Sequence, residues 1–78
     1  LSKLNTMDRI EINPDICNGK AIIKGTRITV STILGYLSAG DTYEEILEAY
    51  PNITKEDIMA CLQYAHKIVN NHSAIKTA

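Results

Sequence analysis

The stretch TVSTILGYLSAGDTYEEILEAYPNITKED, residues 29–57, carries the start signals of three successive helices and the stop signals of the first two. Thr29 stands before a helical repeat, where its hydroxyl can accept a hydrogen bond from a free backbone amide. Thr42 and Thr54 are each followed three residues later by an acidic residue, which is the pattern of a capping box. Because such a signal opens each of three apolar repeats, the stretch predicts a mainly α-helical fold.

Apolar residues recur at the spacing of one helical face in three segments, 29–40, 42–51 and 54–70. Gly40 suits the left-handed conformation that ends the first helix, and Pro51 stops the second. The predicted inner faces consist of Val30, Ile33, Leu34 and Leu37, then Tyr43, Ile46, Leu47 and Tyr50, then Ile58, Cys61, Leu62, Ala65 and Val69. Helices of this length hide such faces only by packing around one core.

The link between the second and third predicted helices is three or four residues long, which is the length found in helix-turn-helix units. In those units the last helix is offered to the major groove of DNA. Many small bundles use similar turns, so the spacing leaves open a plain three-helix module.

Two short apolar segments precede the helices. Ile10 and Ile12 alternate with polar residues, as in a half-buried strand, and Pro14 ends the segment. The Asn-Gly pair at residues 18–19 tolerates positive φ and can lead the chain back as a second strand over residues 21–23. A pair of strands this small is not stable alone. We therefore expect an extended or two-stranded N-terminal arm that lies on the helices or pairs with another subunit.

The length and the amino-acid composition are those of one small, soluble, globular domain. A chain of this length buries about 60 to 65% of its unfolded surface, so its core is thin. The thin core and the short unpaired strand lead us to expect a homodimer. We assign residues 9–70 to a single helix-turn-helix-like domain, residues 1–8 to a flexible N-terminal extension and residues 71–78 to a frayed C-terminal tail.

Neither export nor membrane insertion is predicted. The sequence has no apolar run long enough to span a bilayer, and its first residues lack the apolar stretch of a signal peptide. Cys17 and Cys61 stand far apart, without a second cysteine or a nearby histidine at ligand spacing, which argues against a zinc site or a disulfide framework. We expect a cytoplasmic protein.

Charge is distributed unevenly along the chain. Residues 1–30 carry five basic and three acidic side chains, a balance of plus two, whereas residues 31–60 carry one and six, a balance of minus five. The front of the chain is therefore suited to an anionic partner.

The runs INPDICNGKAIIKGTRITVSTIL and SAGDTYEEILEAYPNITKEDIMACLQYA closely resemble the small prokaryotic family called domain of unknown function 433. The similarity covers about residues 9–65 and rests on Gly19-Lys20, Gly25-Thr26-Arg27-Ile28 and Tyr50-Pro51. It implies a homeodomain-like, three-helical fold with a short extended N-terminal part. It also implies an antitoxin role, often beside a gene for a PIN-like ribonuclease. Thr29 and Ala21 stand where the family commonly has proline, and Thr29 still provides a good helix start.

Basic and amide side chains are the candidates for contacts with DNA, because cations that follow a backbone neutralise its phosphates. The candidates are Lys20, Lys24, Arg27, Lys55, Gln63 and Lys67. For Arg27 an alternative stays open, in which its guanidinium forks onto a carboxylate such as Glu11, or onto a helix-end carbonyl, and fixes the arm. Glu56 and Asp57 in the first turn of the third helix argue against its binding DNA, since phosphates repel carboxylates.

Glu44, Glu45 and Glu48 form an acidic patch on the second predicted helix. The patch can cover a basic surface of a ribonuclease partner, or it is an ordinary solvated face.

No catalytic or metal-binding pattern emerges. His66 and His72 are six residues apart and do not share a helical face, and Cys61 falls on an inner face. We expect no enzyme activity, cofactor, metal or small-molecule substrate. The sequence thus favours an antitoxin-type regulator that binds operator DNA and a PIN-like toxin. The alternative is a dimeric protein-interaction module that does not bind DNA.

Overall fold

The computed structural model describes the backbone of residues 6–72 and the side chains of residues 8–71. It contains a two-stranded antiparallel sheet followed by three helices, which confirms the predicted fold class. The elements are β1 (Ile10–Ile12), β2 (Ala21–Ile23), α1 (Val30–Ser38), α2 (Tyr43–Ala49) and α3 (Lys55–His72). A 3-10 turn over Thr6–Arg9 precedes β1 and contacts α3.

The mobile extension predicted for residues 1–8 and the tail predicted for residues 71–78 fall largely outside the described residues. Within the described part, residues 6–8 belong to the 3-10 turn, and α3 continues to its last described residue, His72.

The two strands pair with Ile10 opposite Ile23 and Ile12 opposite Ala21. Their connection is longer than a tight hairpin, because Cys17–Gly19 form a 3-10 turn within it. Cys17, Asn18 and Gly19 all have positive φ, at 51°, 57° and 78°. Left-handed backbone is costly for a residue with a side chain, and Asn and Gly are the residue types that accept it most readily. The Asn-Gly pair predicted as a turn therefore occupies two of the three consecutive positions with positive φ.

The core lies between the sheet and the three helices. Its fully buried large side chains are Ile22, Ile23, Ile33, Ile46, Ile58 and Cys61. Ile22 and Ile23 are neighbours on one strand, so their side chains point to opposite faces, and both faces of β2 are covered. The outer edge of β2 is also bridged by Thr29, at Ile22. The sheet is thus part of the core and not an arm lying beside it.

Helix α1 begins and ends as the sequence predicts. The Thr29 hydroxyl accepts a hydrogen bond from the Thr32 amide at 3.1 Å. At the other end Gly40 has φ +98°, and its amide donates to the Leu37 carbonyl while the Asp41 amide donates to the Tyr36 carbonyl. This pair of bonds is the Schellman motif, which a left-handed glycine permits.

Helix α2 starts with the predicted capping box: the Thr42 amide donates to Glu45 Oε1 at 2.8 Å, and the Glu45 amide donates to Thr42 Oγ1 at 3.2 Å. It ends one residue earlier than expected, because Tyr50 leaves helical geometry with φ −130° and ψ 76°. Residues 50–54 therefore connect α2 to α3.

Helix α3 differs from its predicted inner face. Ile58 and Cys61 are fully buried, but Leu62 is 38% exposed and Val69 is 65% exposed. The prediction is wrong at these two positions: Leu62 lies beside the buried face that contains Ile58 and Cys61, and Val69 lies on the second half of the helix, where no described side chain is fully buried. No helix among the described residues is long and apolar enough to cross a membrane.

Candidate interaction surfaces

An ion pair joins the N-terminal segment to the start of α3. Arg9 Nη1 donates to Asp57 Oδ1 at 3.1 Å, and the second oxygen of the same carboxylate accepts the Thr54 amide at 2.9 Å. The Asp57 amide completes the predicted capping box by donating to Thr54 Oγ1. One carboxylate therefore caps α3 and holds the segment that leads into β1.

The turn between β2 and α1 carries Lys24 and Arg27. Thr26 braces this turn, because its hydroxyl donates to the Ile23 carbonyl at 2.8 Å and accepts the Ile28 amide at 2.9 Å. At its start the Lys24 amide donates to the Arg9 carbonyl at 2.7 Å. The turn is consequently fixed to both the sheet and the segment clamped on α3.

Both cationic side chains of this turn are exposed. The ion pair between Arg9 and Asp57 is the single salt bridge within the part of the chain that the structure describes. The predicted alternative, in which Arg27 is clamped on Glu11 or a helix-end carbonyl, is therefore wrong. The clamped arginine is Arg9, and only the backbone carbonyl of Arg27 is engaged, by the Cys17 thiol at 3.4 Å.

The other predicted DNA contacts do not join Lys24 and Arg27 in one cluster. Lys20 is exposed just before β2, at the opposite end of that strand. Lys55 stands over the ring of Tyr43, with Nζ 5.7 Å from the ring centroid, so it links α3 to α2. Gln63 and Lys67 are exposed one turn apart on the outer face of α3.

The three glutamates of the predicted acidic patch have two different roles. Glu45 is held by the capping box of α2, whereas Glu44 and Glu48 are exposed and lie four residues apart on one face of that helix. These two carboxylates are the part of the patch that can meet a partner.

An open, mainly apolar groove of about 580 Å³ runs between α1, β2 and the second half of α3. Its apolar walls come from Ala21, Val30, Leu34, Tyr64, Ile68 and Val69, and Lys20 also lines it. Residues on three different elements thus surround a space that no other described element fills.

The two cysteines have different environments. Burial, and secondarily the charge of nearby Asp57, raise the pKa of the Cys61 thiol to about 12. A thiol that stays protonated is a poor nucleophile and metal ligand. Cys17 is half-buried. Within the described residues, no group of three or more histidine, cysteine or acidic side chains could hold a metal ion.

Comparison with known proteins places the chain in a family. A sequence model described as "Protein of unknown function (DUF433)" matches residues 10–65. The chain belongs to this family. A DUF433 member protein from Anabaena variabilis ATCC 29413, known from a crystal structure, is 35% identical and superposes with a TM-score of 0.75. The superposition covers 85% of this chain and 65% of that one.

A further relative is much longer than this chain. Uncharacterized protein y4eO of Sinorhizobium fredii (strain NBRC 101917 / NGR234) is 36% identical over 53 residues, which make up 68% of this chain and 24% of y4eO. The chain therefore spans about a quarter of the length of the curated relative it matches. The DUF433 resemblance inferred from sequence is confirmed, and the matched region contains β1, β2, α1, α2 and the first half of α3.

Two features of the DUF433 chain escaped sequence reasoning. Arg9 is 48 residues from Asp57, and no local pattern links the two. The sequence did give a partial signal for this ion pair: one oxygen of the Asp57 carboxylate serves the capping box, and the second oxygen needs a separate donor. The exposure of Leu62 and Val69 was also missed, because helical periodicity identifies an apolar face but not how much of it the neighbouring elements cover.

Proposed function

We propose that this DUF433 chain is a homodimeric, non-enzymatic regulator of antitoxin type that binds operator DNA and holds a PIN-like ribonuclease. The observation that carries the proposal is the braced turn with Lys24 and Arg27, whose exposed side chains have no carboxylate partner among the described residues. Cations held on a rigid turn are suited to phosphate contacts, which fix the position of a protein on a duplex.

The clamp on Asp57 weakens the main objection to DNA binding. Two carboxylates in the first turn of α3 would repel phosphates, but the guanidinium of Arg9 neutralises one of them, and Glu56 alone stays exposed. Lys67 on the outer face of α3 is exposed and suited to a phosphate contact.

The exposed carboxylates of Glu44 and Glu48 support the second part of the proposal. They stand on α2, a different element from the basic turn between β2 and α1, and their sign suits the basic surface of a nuclease that binds nucleic acid. The two functions would then use different surfaces of one small domain.

The test of DNA binding is a titration of the purified protein against the duplex upstream of its own gene, at rising salt. Each phosphate contact contributes about 0.9 to the slope of log affinity against log salt. Lys24→Ala and Arg27→Ala are each expected to lower that slope by about one contact, with the fold retained because both side chains are exposed.

Glu48→Gln is the control for net charge. It adds the same unit of positive charge that Lys24→Ala removes, but on α2. If overall charge governs binding, Glu48→Gln strengthens it as much as Lys24→Ala weakens it. If the turn contacts phosphates directly, Glu48→Gln leaves the slope unchanged. A wild-type protein that does not shift its own upstream duplex at low salt overturns the DNA-binding part of the proposal.

The alternative function is a protein-interaction module that dimerises and holds a partner without binding DNA. The apolar groove favours this alternative, because a DNA contact does not need an apolar surface of this kind. Co-purification of the adjacent ribonuclease with a chain that fails the duplex titration would support the module.

A further inference from the structure

Arg9 lies where three parts of the fold meet. Its side chain reaches the first turn of α3, where Nη1 donates to Asp57 Oδ1 at 3.1 Å. Its carbonyl accepts the Lys24 amide at 2.7 Å, so Arg9 and Lys24 stand side by side at the open end of the hairpin. Lys24 is also the first residue of the braced turn between β2 and α1. Arg9 thus joins this basic turn to the start of α3.

The guanidinium of Arg9 is only partly used by its ion pair with Asp57. A guanidinium carries five N–H donors in a planar fork. Only Nη1 donates to a described residue, and none of the described residues accepts a hydrogen bond from the edge formed by Nε and Nη2. The Arg9 side chain is 42% exposed, whereas that of Asp57 is 12% exposed. Donors therefore remain for a second acceptor that approaches from solvent while the ion pair stays in place.

The charges around Arg9 favour an anion as that second acceptor. Lys24 beside it and Arg27 in the same turn are exposed and have no carboxylate partner among the described residues. Like charges placed side by side on paired strands destabilise the protein. Asp57 offsets only one of these three positive charges. An anion bound between Arg9 and Lys24 would relieve the repulsion that is left.

We infer that Arg9 is a further phosphate-binding residue, which holds a phosphate group together with Lys24 while it stays paired with Asp57. Phosphate suits this site because the edge formed by Nε and Nη2 offers it two parallel N–H donors and an ammonium adds a point charge. A phosphate held there would fix the start of α3 at a set distance from a nucleic-acid backbone. The inference rests on the proposed DNA function for the source of the phosphate.

The first measurement is the affinity of wild type and Arg9→Met for the duplex upstream of the gene, at salt concentrations from about 50 mM to about 200 mM. A lost phosphate contact lowers the slope of log affinity against log salt by about 0.9, so the advantage of wild type should shrink about 3.5-fold over this range. Arg9→Lys should keep the slope and lose part of the affinity, because lysine keeps the charge without the fork. An advantage that stays constant with salt overturns the inference and leaves Arg9 a positioning residue.

The second measurement uses the competition between Asp57 and the phosphate for one guanidinium. Asp57→Asn removes the competing charge, so it should raise duplex affinity about twofold or more although it loosens the ion pair. Glu56→Gln is the matched control, since it removes the same charge from an exposed position in the same helical turn. Asp57→Asn should raise the affinity more than Glu56→Gln in wild type and no more than Glu56→Gln in Arg9→Met. A lower affinity of Asp57→Asn, or equal gains from the two substitutions in wild type, overturns the inference. Circular dichroism at the assay temperature checks that each variant is folded.

The third measurement separates the phosphate site from the proposed DNA function. Inorganic phosphate is titrated into isotope-labelled protein at constant ionic strength. The Nε–H resonance of Arg9 and the amide resonance of Lys24 should shift, whereas the amide of Lys20, at the opposite end of β2, should not. A response to phosphate without duplex binding refutes the DNA function and leaves the phosphate site. Duplex binding in which Arg9 responds neither to phosphate nor to the duplex refutes the site alone, and silence in both titrations refutes both.

Discussion

Asp57 is the residue at which local and long-range stabilisation can be separated by mutation. Its Oδ2 accepts the Thr54 amide at 2.9 Å, and its Oδ1 accepts from Arg9 at 3.1 Å. Loss of a helix cap costs about 1 kcal/mol. The ion pair is partly solvated, since 42% of the Arg9 side chain and 12% of the Asp57 side chain are exposed, which limits its contribution to about 0.5–1 kcal/mol.

Three substitutions distinguish these contributions. Asp57→Ala removes both interactions, so the free energy of unfolding should fall by about 1.5–2 kcal/mol. Asp57→Asn keeps an oxygen that can accept the Thr54 amide, so it should lose only the ion pair, about 0.5–1 kcal/mol. Arg9→Met keeps an apolar stem and should cost the same as Asp57→Asn.

The assay is urea denaturation followed by far-ultraviolet circular dichroism, at low and at high salt. The double variant Arg9→Met with Asp57→Asn should be no less stable than either single variant, because both remove the same ion pair. The difference between wild type and Arg9→Met should shrink at high salt. If the two single effects add in full, or if Asp57→Asn costs as much as Asp57→Ala, the shared role of this carboxylate is refuted.

Three further predictions concern the core and the backbone. The folded-state pKa of Cys61, about 12, exceeds its ordinary value of 9.0. The stability from the neutral thiol is therefore complete below about pH 9 and is lost as pH rises to about 12, by up to about 1.4 kcal/mol per pH unit. Denaturation at several pH values should show a steeper loss of stability in wild type than in Cys61→Ala, in which only other groups such as Tyr50, whose pKa is also raised by the Tyr36 hydrogen bond and by burial, contribute. Gly40→Ala should destabilise by about 1 kcal/mol because φ is +98°, whereas Gly35→Ala, inside α1, should stabilise by about 0.5–1 kcal/mol in thermal melts. Ile46→Ala should cost about 2–5 kcal/mol, while Ile12→Ala, at a 59% exposed position, should cost less than about 0.5 kcal/mol in the same urea assay.

The helices could be predicted from sequence because their signals are local. A cap such as Thr42 with Glu45, or a stop such as Gly40, acts on backbone groups within one helical turn. Each of these helix signals is therefore complete within four or five consecutive residues. The positions of Thr29, Thr42 and Thr54 were correct for this reason.

Predictions that depended on tertiary distance were less successful. The alternation of Ile10 and Ile12 suggested one half-buried face, but Ile12 is 59% exposed because the strand ends beyond the reach of the core. A clamp at Arg27, beside a glycine, was one of two alternatives, whereas the clamped arginine is Arg9. The packing of the hairpin on α3 decides which of the two arginines reaches a carboxylate. The sequence contains no local pattern that indicates this packing.

Because β2 is covered on both faces, the strand connects the helices to one another as well as to the N-terminal segment. A fragment that begins at α1 would lack Ile22 and Ile23 and would expose the surfaces of the helices that they fill. The smallest piece of this protein able to fold by itself must therefore begin before the hairpin. Fusion proteins and deletion series should be cut upstream of Thr6, since the 3-10 turn Thr6–Arg9 also contacts α3.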